Sequence, residues 1–191
     1  MSYLLSAFTL IVQVVFGAIA TLFLVRLLAE ANRAEFHNPL SQFVYRYTNP
    51  VLVPLRRVLP NWRRVNLAAL LILLLTFVLE RLILFVLAGV LPAWLGLLVL
   101  SLADLLDFVL LFYIVVIFGW SLLTMFSPDP YHPLIRLAGA IVEPLLRPLR
   151  GKLVIGSIDF SPTIVVIALL LAQRLIAAPL FDFGASLTQL G

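Results

Sequence analysis

The chain has 191 residues, of which 63% are hydrophobic and 12% charged, and its mean hydropathy is +1.16. Charged residues are about half as frequent as the roughly 25% usual in soluble domains, so the outer faces are built to meet lipid and the protein is read as integral to a membrane. The net charge of +4 and the pI of about 10.0 do not imply nucleic acid, because the basic residues collect in particular loops between apolar runs.

Four runs reach the roughly 20 residues a helix needs to cross a hydrocarbon core of about 30 Å. The first covers about 4–28. The "AEA" at Ala29–Ala31 resembles a signal-peptidase site, but nothing basic precedes Leu4 and the run is too long for a cleavable signal, so it is expected to remain a membrane helix.

A hairpin over 38–60 follows. "NPLSQFVYRYTNP" begins with a capping residue, Asn38, and a proline at the first helical position, Pro39. The pattern predicts a short interfacial helix with Leu40, Phe43, Val44 and Tyr47 on one face, ended by Pro50. Pro54 then implies a turn, placing Arg56 and Arg57 toward lipid phosphates or a partner.

The second and third spans cover about 67–91 and 102–126, joined by "LPAWLG", with Trp94 expected at the outer interface. A second hairpin over 132–154 carries Pro133, Pro144, Pro148, Arg147 and Arg150, with an apolar face of Leu134, Leu137, Ala138 and Ile141. The fourth span covers about 162–181. His37 and His132 precede equivalent prolines and are read as interface or capping residues, because no further metal ligand stands at a conventional spacing.

The chain aligns with itself. At an offset of 94 the matched residues include Pro39 with Pro133, Pro50 with Pro144, Pro54 with Pro148 and Arg56 with Arg150. Past the hairpin the offset becomes 93, which carries Arg81 onto Arg174. The chain therefore divides into a first repeat, 1–93, and a second, 94–191, each a helix, a hairpin with a short interfacial helix, and a helix. The fold class is an all-α membrane protein with four transmembrane helices from two parallel repeats. Arginine and lysine fill the two hairpin loops and are missing from the "LPAWLG" connection and both tails, which places the hairpins in the cytoplasm and both termini outside.

Ionisable residues inside the spans are Glu80, Arg81, Asp104, Asp107 and Arg174. Such groups are costly in lipid and face a cavity or a partner. Arg81 and Arg174 lie roughly 20 Å along their helices from the hairpin side. The favoured reading pairs the arginines with Asp104, Asp107 and Glu80 as bundle glue; the other is a charged path for a cation or proton. The second and fourth helices are expected to be continuous, unlike the broken helices of many transporters.

The run "NPLSQFVYRYTNPVLVPLRRVLP", followed by an apolar helix and a second copy ending in "GSIDFSP", resembles the bacterial YggT family, whose plastid relatives are called YlmG. The likeness covers about 25–179. It implies a small multi-pass protein of the bacterial cytoplasmic or thylakoid membrane, with no established catalytic activity. Relatives are linked to osmotic or salt tolerance and, in plastids, to cytochrome maturation and nucleoid organisation. The family motif falls on Asn38 and on Asp159, Ser161 and Pro162; the first repeat has Asn66, Ala68 and Ala69 in the latter places.

These observations predict a non-enzymatic scaffold or assembly factor without cofactor. Its hairpins would contact anionic lipid headgroups or a membrane protein partner, including another copy of the chain. The alternative is a small oligomeric channel or transport component for cations or protons.

Overall fold

A computed structural model describes residues 2–34, 38–126, 129, 131–152, 154–155 and 158–189. Four rods are long and apolar enough to cross a membrane: α1 (Ser2–Ala31), α3 (Leu67–Leu87), α4 (Trp94–Phe126), and a fourth made of α6 (Ser161–Ala172), a π-helical turn (Gln173–Ala177) and α7 (Ala178–Gln189). The shorter helices α2 (Pro39–Leu55) and α5 (Pro133–Leu146) follow the first and third rods. The protein is an all-α membrane protein.

Several boundaries differ from expectation, each for a local reason. α3 stops at Leu87 because Gly89, at φ +73°, closes a Schellman cap in which the Val90 N–H donates to the Phe85 carbonyl at 3.0 Å. α4 starts at Trp94 instead of 102, since "WLGLLVLS" is as apolar as the run behind it and begins two residues after Pro92. The fourth rod runs to Gln189, and one wide turn interrupts its regular bonding: the Ala178 N–H donates to the Gln173 carbonyl, five residues back.

The prolines do not end the hairpin helices. Pro50 and Pro54 lie inside α2, and Pro144 inside α5; only Pro148 falls in the turn beyond. A proline removes one donor and crowds one carbonyl, and the four-residue spacing sets both defects of α2 on the same exposed side. The spacing that reads as a break in sequence therefore lets the helix continue.

Asn38 caps α2 by accepting the Leu40 N–H at 2.9 Å, and its amide donates to the Pro133 carbonyl at 2.7 Å, joining the starts of the two hairpin helices. His132 holds the matching cap position of α5 without a side-chain cap bond. His37 lies outside the described residues.

The apolar face expected on α2 is split. Val44 is buried with Ser41, Thr48 and Leu52, whereas Phe43 and Tyr47 are exposed, with ring centroids 4.6 Å apart. Small side chains let α2 approach the bundle closely, and the Thr48 hydroxyl satisfies itself on the Val44 carbonyl at 2.7 Å. In α5, Leu137 and Ile141 are buried beside Ile135, Val142 and Leu146, while Leu134 is exposed.

One core joins the first three helices to α4 around Phe23, Leu24, Leu52, Leu73, Phe77 and Leu105. Another joins α4, α5 and α6 around Ile117, Val142, Leu146 and Leu169. Ala29, Ala34, Leu137 and Ile141 tie the end of α1 to α5. α4 is thus the common wall. The copies also match in their loops: the Trp62–Val65 bridge of the first corresponds, 93 residues on, to the Ile155–Ile158 pair of the second.

α4 and α7 meet at glycines. A Cβ on Gly96 would lie 2.5 Å from Thr188 Cγ2 and 2.7 Å from its backbone nitrogen, and one on Gly184 would lie 2.9 Å from the Leu100 nitrogen. In lipid such close approach supplies the packing that holds helices together. Gly96→Ala is expected to cost about 1–3 kcal/mol, read as a lower melting temperature in detergent; an unchanged value would refute the close contact.

Candidate functional site

Polar groups from three rods converge near the middle of the bundle. Arg81 of α3 grips Asp104 of α4 in a two-pronged ion pair: Nε donates to Oδ2 at 2.8 Å and Nη2 to Oδ1. The Arg81 guanidinium also lies 5.2 Å from the centre of the Phe181 ring. One turn along α4, Asp107 accepts from the Gln173 amide at 2.9 Å. Arg174, which the alignment equates with Arg81, is exposed and makes no ion pair among the described residues.

Two cavities flank this line. One of about 680 Å³ lies between α4 and the fourth rod and is lined by Asp104, Asp107, Gln173, Arg174 and Asp182. The other, of about 230 Å³, lies toward α1 and α3, with Gln13, Glu80 and Arg81 in its wall. Asp104 and Asp107 face both. Gln173 and Arg174 belong to the π-helical turn, so the helix departs from regularity at the polar cluster. Among the described residues no group of three or more His, Cys, Asp or Glu has the arrangement to hold a metal.

A second cluster lies at the hairpin end of α1, where Glu30 is its hub. Its carboxylate meets Arg26 one turn back at 2.7 Å and Arg56 of α2 at 2.5 and 2.8 Å, and accepts the Asn66 amide at 2.8 Å. Asn66 uses its carbonyl to cap α3, accepting the Ala69 N–H at 3.1 Å. One carboxylate therefore ties α1, α2 and the start of α3. Arg26 is 2% exposed, donates to Asn49 at 3.2 Å and lies 3.2 Å from the centre of the Tyr45 ring. Burial pushes the Tyr45 phenol above its ordinary pKa, with Glu30 adding to the rise and Arg26 opposing it.

Arg26 and Glu30 were not singled out from the sequence. The available signal was an Arg/Glu pair at i and i+4 at the end of an apolar run, a spacing that places them on one helix face. The expectation that Arg56 faces outward is corrected: its guanidinium is drawn in by Glu30. Arg57 and Arg147 are exposed, and Arg150 is exposed while paired with Glu143 at 2.6 Å.

The Asp159–Ser161–Pro162 motif is a joint between hairpin and helix. Asp159 accepts the Ser161 N–H at 2.8 Å, Pro162 occupies the start of α6, and the buried Ser161 hydroxyl donates to the Leu149 carbonyl at 3.0 Å. The adjacent Ser161 side chain and its backbone N–H hold the Asp159 carboxyl below the usual aspartate range, and Arg150 adds to the effect. In the first repeat Asn66 makes the corresponding cap.

Four apolar rods in two copies, with capped hairpins at one end and paired charges within, define a multi-pass helical membrane protein built on an internal repeat. The chain matches the CCB3/YggT family over residues 5–87 and 99–180, and it belongs to that family. It is 35% identical over 170 residues to the uncharacterised protein YggT of Escherichia coli strain K12, covering 86% of each chain. An uncharacterised protein of Pseudomonas aeruginosa is 34% identical over 172 residues, covering 80% of this chain and 79% of the relative. A protein of Vibrio alginolyticus is 28% identical over 176 residues, covering 90% and 94%. No solved structure matches the chain significantly.

Proposed function

We propose that the protein is a non-catalytic membrane scaffold or assembly factor, of the kind the resemblance links to stress tolerance. In this reading the hairpins lie on the cytoplasmic side of a bacterial inner membrane, both termini lie outside, and the basic face engages anionic headgroups or a protein partner. The distribution of charge carries it. Arg81 is answered inside the bundle by Asp104, whereas Arg57, Arg63, Arg64, Arg147 and Lys152 are exposed at the hairpin end. Charges turned outward on a membrane surface attract anionic partners, while charges cancelled inside hold helices together.

The test is photocrosslinking from positions 57 and 147 in intact membranes. The expected result is a defined lipid or protein adduct from both hairpins. Purified protein that passes potassium or protons in vesicles under an imposed gradient would favour the second reading, a transport component. That reading draws on the two cavities sharing Asp104 and Asp107 beside the π-helical turn.

A further inference from the structure

We infer that the cavity between the end of α1 and the Trp62–Val65 turn binds one phosphate oxyanion, supplied by an anionic lipid headgroup. The cavity measures about 430 Å³ and is lined by Arg33, Arg63 and Arg64 together with Glu30, Tyr45 and Asn61. The inference deepens the reading above by giving it a site and a ligand class, and rests on it for placing this end among headgroups.

The backbone singles the cavity out. Arg33 and Arg63, both at φ +53°, are the non-glycine residues with positive φ among the described residues, and both line it. Arg33 sits at the left-handed position of a Schellman cap on α1, in which the Ala34 N–H donates to the Ala29 carbonyl at 2.8 Å. The same cap on α3 uses Gly89, the residue that geometry favours. Arg63 is the first central residue of a two-residue turn closed by paired Trp62 and Val65 bonds of 3.0 and 2.9 Å, another place where glycine or asparagine is preferred. Two arginines thus stand where local conformation argues against them, and they line one cavity.

Electrostatics favours an anion. Glu30 is the acid in the wall, and its carboxylate is already shared by Arg26 and Arg56. Behind it, Arg26 Nε and Nη1 and Arg56 Nε are buried without an acceptor among the described residues. The surplus is positive, and planar guanidinium forks match phosphate oxygens. Trp62, between the lining residues Asn61 and Arg63, is 64% exposed, an apolar ledge suited to an acyl chain beside a headgroup. The second repeat has Gly156 and Ser157 in place of Arg63 and Arg64, so one site is expected per chain.

Glycine suits the backbone at both positions, so Arg33→Gly/Arg63→Gly should fold at least as well as the parent while losing the charge. Full-length protein is to be prepared in phosphatidylcholine nanodiscs, titrated with phosphatidylglycerol or with inorganic phosphate at constant ionic strength, and examined by native mass spectrometry and melting temperature. One phosphatidylglycerol per chain should be retained by the parent and by Arg46→Gln, which removes an exposed charge outside the cavity. The double glycine variant should bind it about tenfold more weakly or worse, as expected for lost charged hydrogen bonds.

Unchanged retention in the glycine variant, or equal weakening by Arg46→Gln, would overturn the site. Displacement of the lipid by millimolar inorganic phosphate would overturn the headgroup source in favour of a soluble phosphate. If the site falls while crosslinks from positions 57 and 147 persist, the wider scaffold reading survives without it.

Discussion

Glu30→Gln is expected to destabilise the protein by about 3–5 kcal/mol, the cost of breaking a buried ion pair by removing one partner. The carboxylate answers two guanidiniums, and only one of them can escape: Arg56 is 29% exposed at its side chain, but Arg26 is 2% exposed and stays where it is. The single amide oxygen of the variant cannot serve Arg26, Arg56 and Asn66 together, which loosens the start of α3. Denaturation in mixed micelles is the measurement. Arg26→Met in the Glu30→Gln background should recover a large part of the loss, because it removes the stranded charge. A shift below about 1 kcal/mol for Glu30→Gln would place the pair among surface ion pairs and remove the hub from the account.

Arg81→Leu should cost about 2.5–3.5 kcal/mol, the order found for an unpaired charge at the centre of a membrane helix, because it leaves the Asp104 carboxylate without its guanidinium partner inside the bundle. Arg81→Leu/Asp104→Leu should be much closer to the parent, since apolar residues of similar bulk replace a buried pair with little penalty. The equivalent Arg174→Leu should change stability far less, because Arg174 has no carboxylate bound to it among the described residues. Melting temperatures of the four proteins in one detergent give the comparison. A folded, stable Arg81→Leu with altered ion flux would move the central cluster from glue to pathway.

The rods were legible because hydrocarbon thickness imposes a minimum apolar length that sequence shows directly. The repeat was legible because prolines mark hairpins and their spacing survives on both copies. What proline does at 50 and 54 was not, since whether a helix ends depends on whether the lost bonds face outward, which is a tertiary fact. The pairing of Arg81 with Asp104 over Asp107 depends on the rotation of α3 against α4, which side-chain periodicity fixes only loosely. The Glu30 hub escaped notice for a similar reason: its partners Arg26, Arg56 and Asn66 come from three separate stretches, and Asn66 is neutral. Arg33 and Arg63 appear in sequence as ordinary loop charges; their left-handed backbone is visible only once the cap and the turn are built.

The wide turn at Gln173–Ala177 has a consequence for how the molecule meets its neighbours. It falls at Arg174 in the fourth rod, whereas α3 is a regular α-helix through Arg81, and the two aligned arginines stand in unlike surroundings: Arg81 clamped, Arg174 open. A neighbour approaching along α1 finds Leu4, Phe8, Ile11 and Val15, a bare hydrocarbon flank, while one approaching along the fourth rod finds a guanidinium beside Asp104, Asp107 and Asp182. These unlike flanks give the protein a front and a back in the plane of the bilayer.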